Sequence, residues 1–130
     1  MSIKTPLAKV KHLGSAKSGT EHFMHQRMSA VFMIPLMIWF VVSILSFLTK
    51  PMEELPFIIT SGCNLFAAIM FIGVFLFHAS LGIRVVLEDY IHCKMLLNFS
   101  MGLLYFVCWI SLIAGVCSVF SIHVLFRTMF

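Results

Sequence analysis

Charged side chains are scarce in this sequence. Its 130 residues include 9 Lys and Arg and 5 Asp and Glu, so that 11% are charged while 61% are hydrophobic. A soluble protein exposes contiguous apolar patches of roughly a few hundred Å² at most. The composition therefore excludes an ordinary soluble domain and is typical of a membrane protein.

Two common kinds of cofactor motif are also missing. The cysteines form no CxxC pair and no metal-binding cluster, and they lie at Cys63, Cys93, Cys108 and Cys117. Lone cysteines in apolar segments usually behave as small hydrophobic residues. No G-x-G-x-x-G fingerprint of a dinucleotide-binding domain occurs either. We therefore expect neither an iron–sulfur cluster nor FAD to bind this chain.

Long apolar segments are abundant, and three of them dominate the sequence. They cover residues 28–48, 57–87 and 96–126. About 20 helical residues, each rising ~1.5 Å, cross a hydrocarbon core ~30 Å thick. The sequence thus predicts an all-α membrane protein with a basic tail, residues 1–26, and a domain of three transmembrane helices, residues 27–130.

The distribution of cations predicts the orientation of these helices. Three spans place the tail and the second loop, residues 88–94, on the same side of the membrane. That side carries seven of the nine cations, namely Lys4, Lys9, Lys11, Lys17, Arg27, Arg84 and Lys94. Only Lys50 and Arg127 belong to the other side. The positive-inside rule therefore predicts a cytoplasmic amino terminus, or its topological equivalent.

Small residues in the third segment predict close helix packing. Ser111 and Gly115, and likewise Ala114 and Ser118, are spaced four residues apart. Small side chains at this spacing let two membrane helices approach closely. We expect them to mark a helix contact rather than a chemical site.

His78 is the most informative ionisable residue of the second segment. Because an ionisable group is costly inside a membrane, it is by default a functional hypothesis. Steps of four, seven and eleven residues place Gly82, Val85 and Asp89 on the same helix face. Gly82 leaves room for a flat ligand or a neighbouring backbone, and a neutral imidazole suits a haem iron. The alternative is a histidine hydrogen-bonded to another helix.

Two sequence regions resemble a known family. HASLGIRVVLEDY, residues 78–90, ends the second segment, and GTEHFMHQRMSA, residues 19–30, leads into the first. Together with the tail and the three spans, they resemble the small hydrophobic membrane anchor of succinate dehydrogenase over nearly the whole chain. The most specific feature is a histidine followed eleven and twelve residues later by Asp-Tyr.

The resemblance implies roles for four residues. His78 would be one axial ligand of a b-type haem, and the second ligand would come from a second membrane-anchor chain, the partner anchor. Arg27 would face a haem propionate. Tyr90 would donate a hydrogen bond to a carbonyl oxygen of ubiquinone, and Asp89 would tune that site. Each also has a simpler interpretation: Arg27 could anchor to lipid headgroups, Tyr90 could belong to the aromatic belt, and Asp89 could be solvated.

The implied function is that of a membrane anchor in complex II, the succinate:ubiquinone oxidoreductase of the tricarboxylic acid cycle and respiratory electron transport. The chain would seat an iron–sulfur subunit and a flavoprotein subunit without being catalytic alone, and it would bind no nucleic acid. A fumarate reductase anchor and a non-redox assembly or transport subunit are the alternatives. The expected location is a bacterial inner membrane, or alternatively the mitochondrial inner membrane. No role is assigned to His22, His25 or His123.

Overall fold

The structure is a computed structural model that describes residues 19–51 and 53–129. Over these residues it contains helices and no strand, and the helices are α1 (Gly19–Thr49), α2 (Leu55–Ile59), α3 (Gly62–Tyr90) and α4 (Lys94–Met129). Three of them, α1, α3 and α4, are long and apolar enough to cross a membrane. The predicted all-α architecture with three spans is confirmed. Of the expected tail, residues 1–18 lie outside the described residues, and residues 19–26 are helical.

The helices are longer than the hydrocarbon core that they have to cross. They contain 31, 29 and 36 residues, which corresponds to roughly 44 to 54 Å at 1.5 Å per residue. A core of ~30 Å leaves the ends of each helix among the lipid headgroups or beyond them. Pro35 lies inside α1 without ending the helix.

The second apolar segment is divided, although most of its residues are hydrophobic. The short helix α2 ends at Ile59 and is followed by Thr60, whose hydroxyl donates to the Pro56 carbonyl at 2.7 Å. Ser61 then adopts an extended backbone, with φ −63° and ψ 125°, before α3 begins at Gly62. An extended residue cannot continue a helix. The expected span 57–87 is therefore replaced by a short helix, a break and a long helix that continues to Tyr90.

Helix α3 is the centre of the bundle. It packs along both α1 and α4, while α2 contacts one end of α3 and α4. Among the described residues only Ser29, Leu55 and Pro56 are buried. Large apolar side chains cover the outer surface, as is usual where lipid tails or other membrane chains, rather than water, surround the helices.

Helices α3 and α4 approach each other closely at Gly115. A Cβ atom at this position would lie 3.2 Å from Cγ2 and 3.3 Å from Cδ1 of Ile72. The predicted close packing is thus confirmed at Gly115. Ala114 and Ser118 are exposed, so this half of the small-residue pattern does not face α3.

Candidate functional site

A hydrogen bond between Ser29 and His78 joins α1 to α3. Ser29 is 5% exposed, and its Oγ lies 2.9 Å from Nδ1 of His78. The same hydroxyl donates to the backbone carbonyl of Gln26 at 3.0 Å. The expected alternative for His78, a hydrogen bond to another helix, is therefore observed for one of its two ring nitrogens.

The other ring nitrogen of His78 faces different surroundings. Among the described residues, no hydrogen bond to Nε2 is formed. One helical turn further along the same face, a Cβ atom at Gly82 would meet nothing within 4 Å. The face of α3 that carries His78 thus has room for a flat ligand.

The described residues contain no group of three or more His, Cys, Asp or Glu side chains that could hold a metal ion. A site built only from protein ligands would need such a group. A haem supplies its own equatorial nitrogens, so one imidazole per chain is enough. The donor set around His78 therefore fits a haem shared with a second chain.

Arg27 lies on a different side of α1 from Ser29. Its guanidinium carbon is 5.0 Å from the centre of the Phe23 ring, a cation–π contact on the exposed surface. Arg27 and Ser29 are two positions apart, which corresponds to about 200° of rotation and ~3 Å along the axis. The structure places Arg27 at the depth of Ser29 but does not bring it into contact with His78.

Asp89 and Tyr90 form the end of α3. Asp89 lies ~16 Å along the helix from His78, and Tyr90 is the last helical residue, with 80% of its surface exposed. The helix is closed by Ile91, whose N–H donates to the Leu87 carbonyl at 3.0 Å. Tyr90 therefore presents its phenol at one end of the bundle, where another molecule can reach it.

Within the last two turns of α3, Arg84 and Glu88 form an ion pair. Nε of Arg84 lies 2.9 Å from Oε1 of Glu88, and both side chains are partly exposed. This i,i+4 pair occupies Glu88 but not the neighbouring Asp89. The two adjacent carboxylates are therefore not equivalent.

A cleft of about 600 Å³ opens between α1, α3 and α4 near this end. Its polar lining comes from all three helices: Glu21, His22, His25, Ser80, Arg84 and Tyr105. Apolar side chains, among them Leu76 and Leu112, complete it. Asp89 and Tyr90 are not among the residues that line this cleft.

A second polar network lies near the opposite end of the bundle. Trp39 donates to Asn64 at 3.2 Å, and Asn64 donates to the Ile58 carbonyl at 2.8 Å. Nδ1 of His123 lies 3.3 Å from the carbonyl of Ile59, and because a carbonyl can only accept, this contact is a hydrogen bond in the tautomer with a proton on Nδ1. The contacts of Ile58 with Asn64 and of Ile59 with His123 connect α2 to α3 and α4.

Comparison with known proteins identifies the family. A family model described as "Succinate dehydrogenase/Fumarate reductase transmembrane subunit" matches residues 1–118. The chain belongs to this family. The succinate dehydrogenase hydrophobic membrane anchor subunit of Rickettsia conorii is 30% identical over 122 residues, covering 91% of this chain and 94% of the relative. That of Rickettsia bellii is 31% identical over 96 residues, covering 74% and 77%.

No solved structure matches this chain significantly. The suspected resemblance to succinate dehydrogenase anchors is confirmed by the family match and by these relatives. The match extends through both regions that carried the resemblance, residues 19–30 and 78–90.

The sequence did not single out Ser29 as a residue of the candidate site. Serine is common in membrane helices, where its hydroxyl can bond to its own helix backbone. No linear pattern distinguishes Ser29 from Ser43, which donates to the Trp39 carbonyl at 2.8 Å. Only the packing of α1 on α3 shows that Ser29 also contacts His78.

Proposed function

We propose that this chain is the membrane anchor of a succinate:ubiquinone oxidoreductase that helps to bind a b-type haem and to form the quinone-reduction site. The family match and the three spans support the anchor role. The observation that carries the haem assignment is the geometry of His78, which is bonded through Nδ1 and lies beside the open space at Gly82, while no other described residue bonds to its Nε2.

In this proposal His78 is the single axial ligand from this chain. Nε2 would coordinate the iron, and the partner anchor would provide the other axial ligand. Such a haem, when bound, supplies a one-electron redox centre inside the membrane. Arg27 would pair with a propionate, because its exposed guanidinium rests on the Phe23 ring and forms an ion pair with no acidic side chain among the described residues.

Tyr90 would act at the quinone-reduction site. Its phenol would donate a hydrogen bond to a carbonyl oxygen of ubiquinone, and this bond strengthens as negative charge develops on the oxygen during reduction. Asp89, which is exposed beside Tyr90, would tune the site. Because Tyr90 is 80% exposed, the remaining walls would come from the partner anchor and the iron–sulfur subunit.

The end of the bundle that carries Tyr90 would face the cytoplasm of a bacterial cell, since the cation distribution favours that orientation. The iron–sulfur subunit and the flavoprotein subunit would dock there, and succinate would be oxidised on the flavoprotein. The family description includes fumarate reductase, but the relatives are named as parts of succinate dehydrogenase, which favours succinate oxidation.

Purification of the complex through a tag on this chain tests the proposal. We expect the three other subunits to co-purify and the reduced complex to show a b-type haem spectrum. His78→Ala should remove the low-spin haem signal, whereas His92→Ala, at an exposed loop histidine, should leave it intact. An unchanged spectrum of the His78→Ala complex in both redox states would show that another residue is the ligand.

A further inference from the structure

We infer that Ser29 is a positioning residue that sets both the tautomer and the ring orientation of His78. The inference deepens the proposed function, because it depends on His78 acting as a haem ligand. It stands on the two contacts of one buried hydroxyl, Ser29 Oγ with Nδ1 of His78 and with the carbonyl of Gln26.

Counting protons decides the direction of these two hydrogen bonds. A serine hydroxyl has one proton to donate, and a backbone carbonyl can only accept. The contact at 3.0 Å therefore uses the Ser29 proton to reach the Gln26 carbonyl. The contact at 2.9 Å with His78 is then a hydrogen bond only if Nδ1 carries a proton and donates it to Oγ. Both bonds form together only when His78 is the Nδ1–H tautomer.

This tautomer leaves the lone pair on Nε2. In the opposite tautomer, Nδ1 and the Gln26 carbonyl, which already accepts a backbone bond within α1, would compete for the single Ser29 proton, and one of the two bonds made by Ser29 would be lost. Ser29 is 5% exposed, and the membrane interior offers no water as a replacement partner. The environment therefore favours the tautomer in which Nε2 can bind a metal.

The same contact orients the imidazole. The ring is attached to α3, and its Nδ1–H is directed at an oxygen that is itself tied to the backbone of α1. Metal-ligating histidines usually donate their second N–H to such a partner, which fixes the ring and raises the basicity of the ligating nitrogen. A more basic axial ligand stabilises ferric over ferrous iron. Loss of the Ser29 hydroxyl should consequently shift the haem midpoint potential to a more positive value.

Ser29→Ala in the complete four-subunit complex is the first test. We expect assembly to persist, haem retention to become about 10- to 100-fold weaker, and the midpoint potential to rise. The electron paramagnetic resonance signal of the ferric haem should also change, because it reports the orientation of the axial ligands. Ser43→Ala is the matched control, since Ser43 makes a similar bond to its own helix backbone but has no contact with His78.

Ser29→Thr and Ser29→Val separate the hydroxyl from its packing. The two replacement side chains have nearly the same shape, and only threonine can accept from Nδ1. We expect Thr to restore the potential and haem retention relative to Val. Equal behaviour of the Thr and Val complexes, whether both bind haem normally or both fail to assemble, would overturn the role of the hydroxyl.

The His78→Ala complex distinguishes a failure of this inference from a failure of the proposed function. If His78→Ala removes the haem while Ser29→Ala matches Ser43→Ala in potential and spectrum, the haem assignment stands and the role of Ser29 is overturned. If His78→Ala retains the haem, the proposed function itself is wrong, and the inference about Ser29 falls with it.

Discussion

The side chains of Trp39 and Asn64 are hydrogen-bonded across the interface between α1 and α3. The indole N–H donates to Oδ1 of the amide at 3.2 Å, and the amide nitrogen donates to the Ile58 carbonyl of α2 at 2.8 Å. One amide thus connects three helices, ~15 Å further along α1 than Ser29. Polar bonds of this kind hold membrane helices together where apolar burial provides little driving force.

Replacement of Asn64 by leucine should destabilise the bundle. The change removes two hydrogen bonds and leaves the Trp39 N–H without this partner. Such bonds contribute on average about 0.6 and at most about 1.7 kcal/mol each in membrane proteins, so we expect a loss of roughly 1–3 kcal/mol. Thermal denaturation of the purified complex would measure it. Cys63→Ala, at the adjacent exposed position, is the control, and equal stability of the two variants would contradict the prediction.

Larger residues at Gly115 should disturb the packing of α4 on α3. A Cβ atom would lie 3.2 Å from Ile72, so Gly115→Ala requires Ile72 to move by a few tenths of an ångström, whereas Gly115→Leu cannot fit without separating the helices. Overpacking typically costs about 1–3 kcal/mol. At Gly102 a Cβ atom would meet nothing within 4 Å, and Gly102→Leu should be tolerated. The amount of assembled complex in membranes should be measured for Gly115→Leu and Gly102→Leu. Equal yields of the two variants would argue against this close approach of the helices.

Impermeant thiol labelling tests the proposed orientation. Glu53→Cys and the native Cys93 lie in the two loops at opposite ends of the bundle, and both positions are exposed. With the other native cysteines replaced by alanine, intact cells should label at position 53, while Cys93 should react only after the membrane is opened. A reporter fused after Phe130 should report the outer side. If position 53 were labelled only after the membrane is opened, the orientation would be the reverse of the proposed one.

Tyr90→Phe separates quinone chemistry from assembly. The substitution keeps the ring but removes the hydroxyl that would donate to the quinone. Loss of one hydrogen bond, roughly 1–3 kcal/mol, corresponds to a decrease in ubiquinone reduction of about 5- to 100-fold. Succinate oxidation with an artificial dye as electron acceptor should persist, because the dye takes electrons before the quinone.

Tyr105→Phe provides the control for this prediction, since Tyr105 lies in the cleft between the helices and not at the end of α3. Normal ubiquinone reduction by the Tyr90→Phe complex would assign Tyr90 to the aromatic belt. Loss of both activities together with the other chains of the complex would assign it a structural role.

Part of the fold could be read from composition and length alone. Residues 28–48 carry no charge, and a helix is the only way for a single apolar segment to satisfy its backbone inside a bilayer. The position of His78 inside the second segment, with Asp89 on the same face, was also readable, because helical periodicity follows directly from residue spacing.

The break before α3 could not be read in this way. Hydropathy averages over the segment and is insensitive to one residue, yet the extended backbone of Ser61 is what separates α2 from α3. Thr60 and Ser61 are compatible with a membrane helix as well as with its end. Contacts of α2 with the long helices, such as the Ile58 carbonyl with Asn64, are needed to favour the break.

The amino-acid sequence was sufficient to predict three membrane-spanning helices, a histidine inside the second of them, and membership of the family of succinate dehydrogenase and fumarate reductase transmembrane subunits. These properties depend on hydrophobicity and spacing, which are local. The packing of α1 on α3 was needed to show that Ser29 contacts His78. The reason is physical: a hydrogen bond between side chains 49 positions apart depends on the rotation and depth of two packed helices, and neither is encoded in the periodicity of one helix alone.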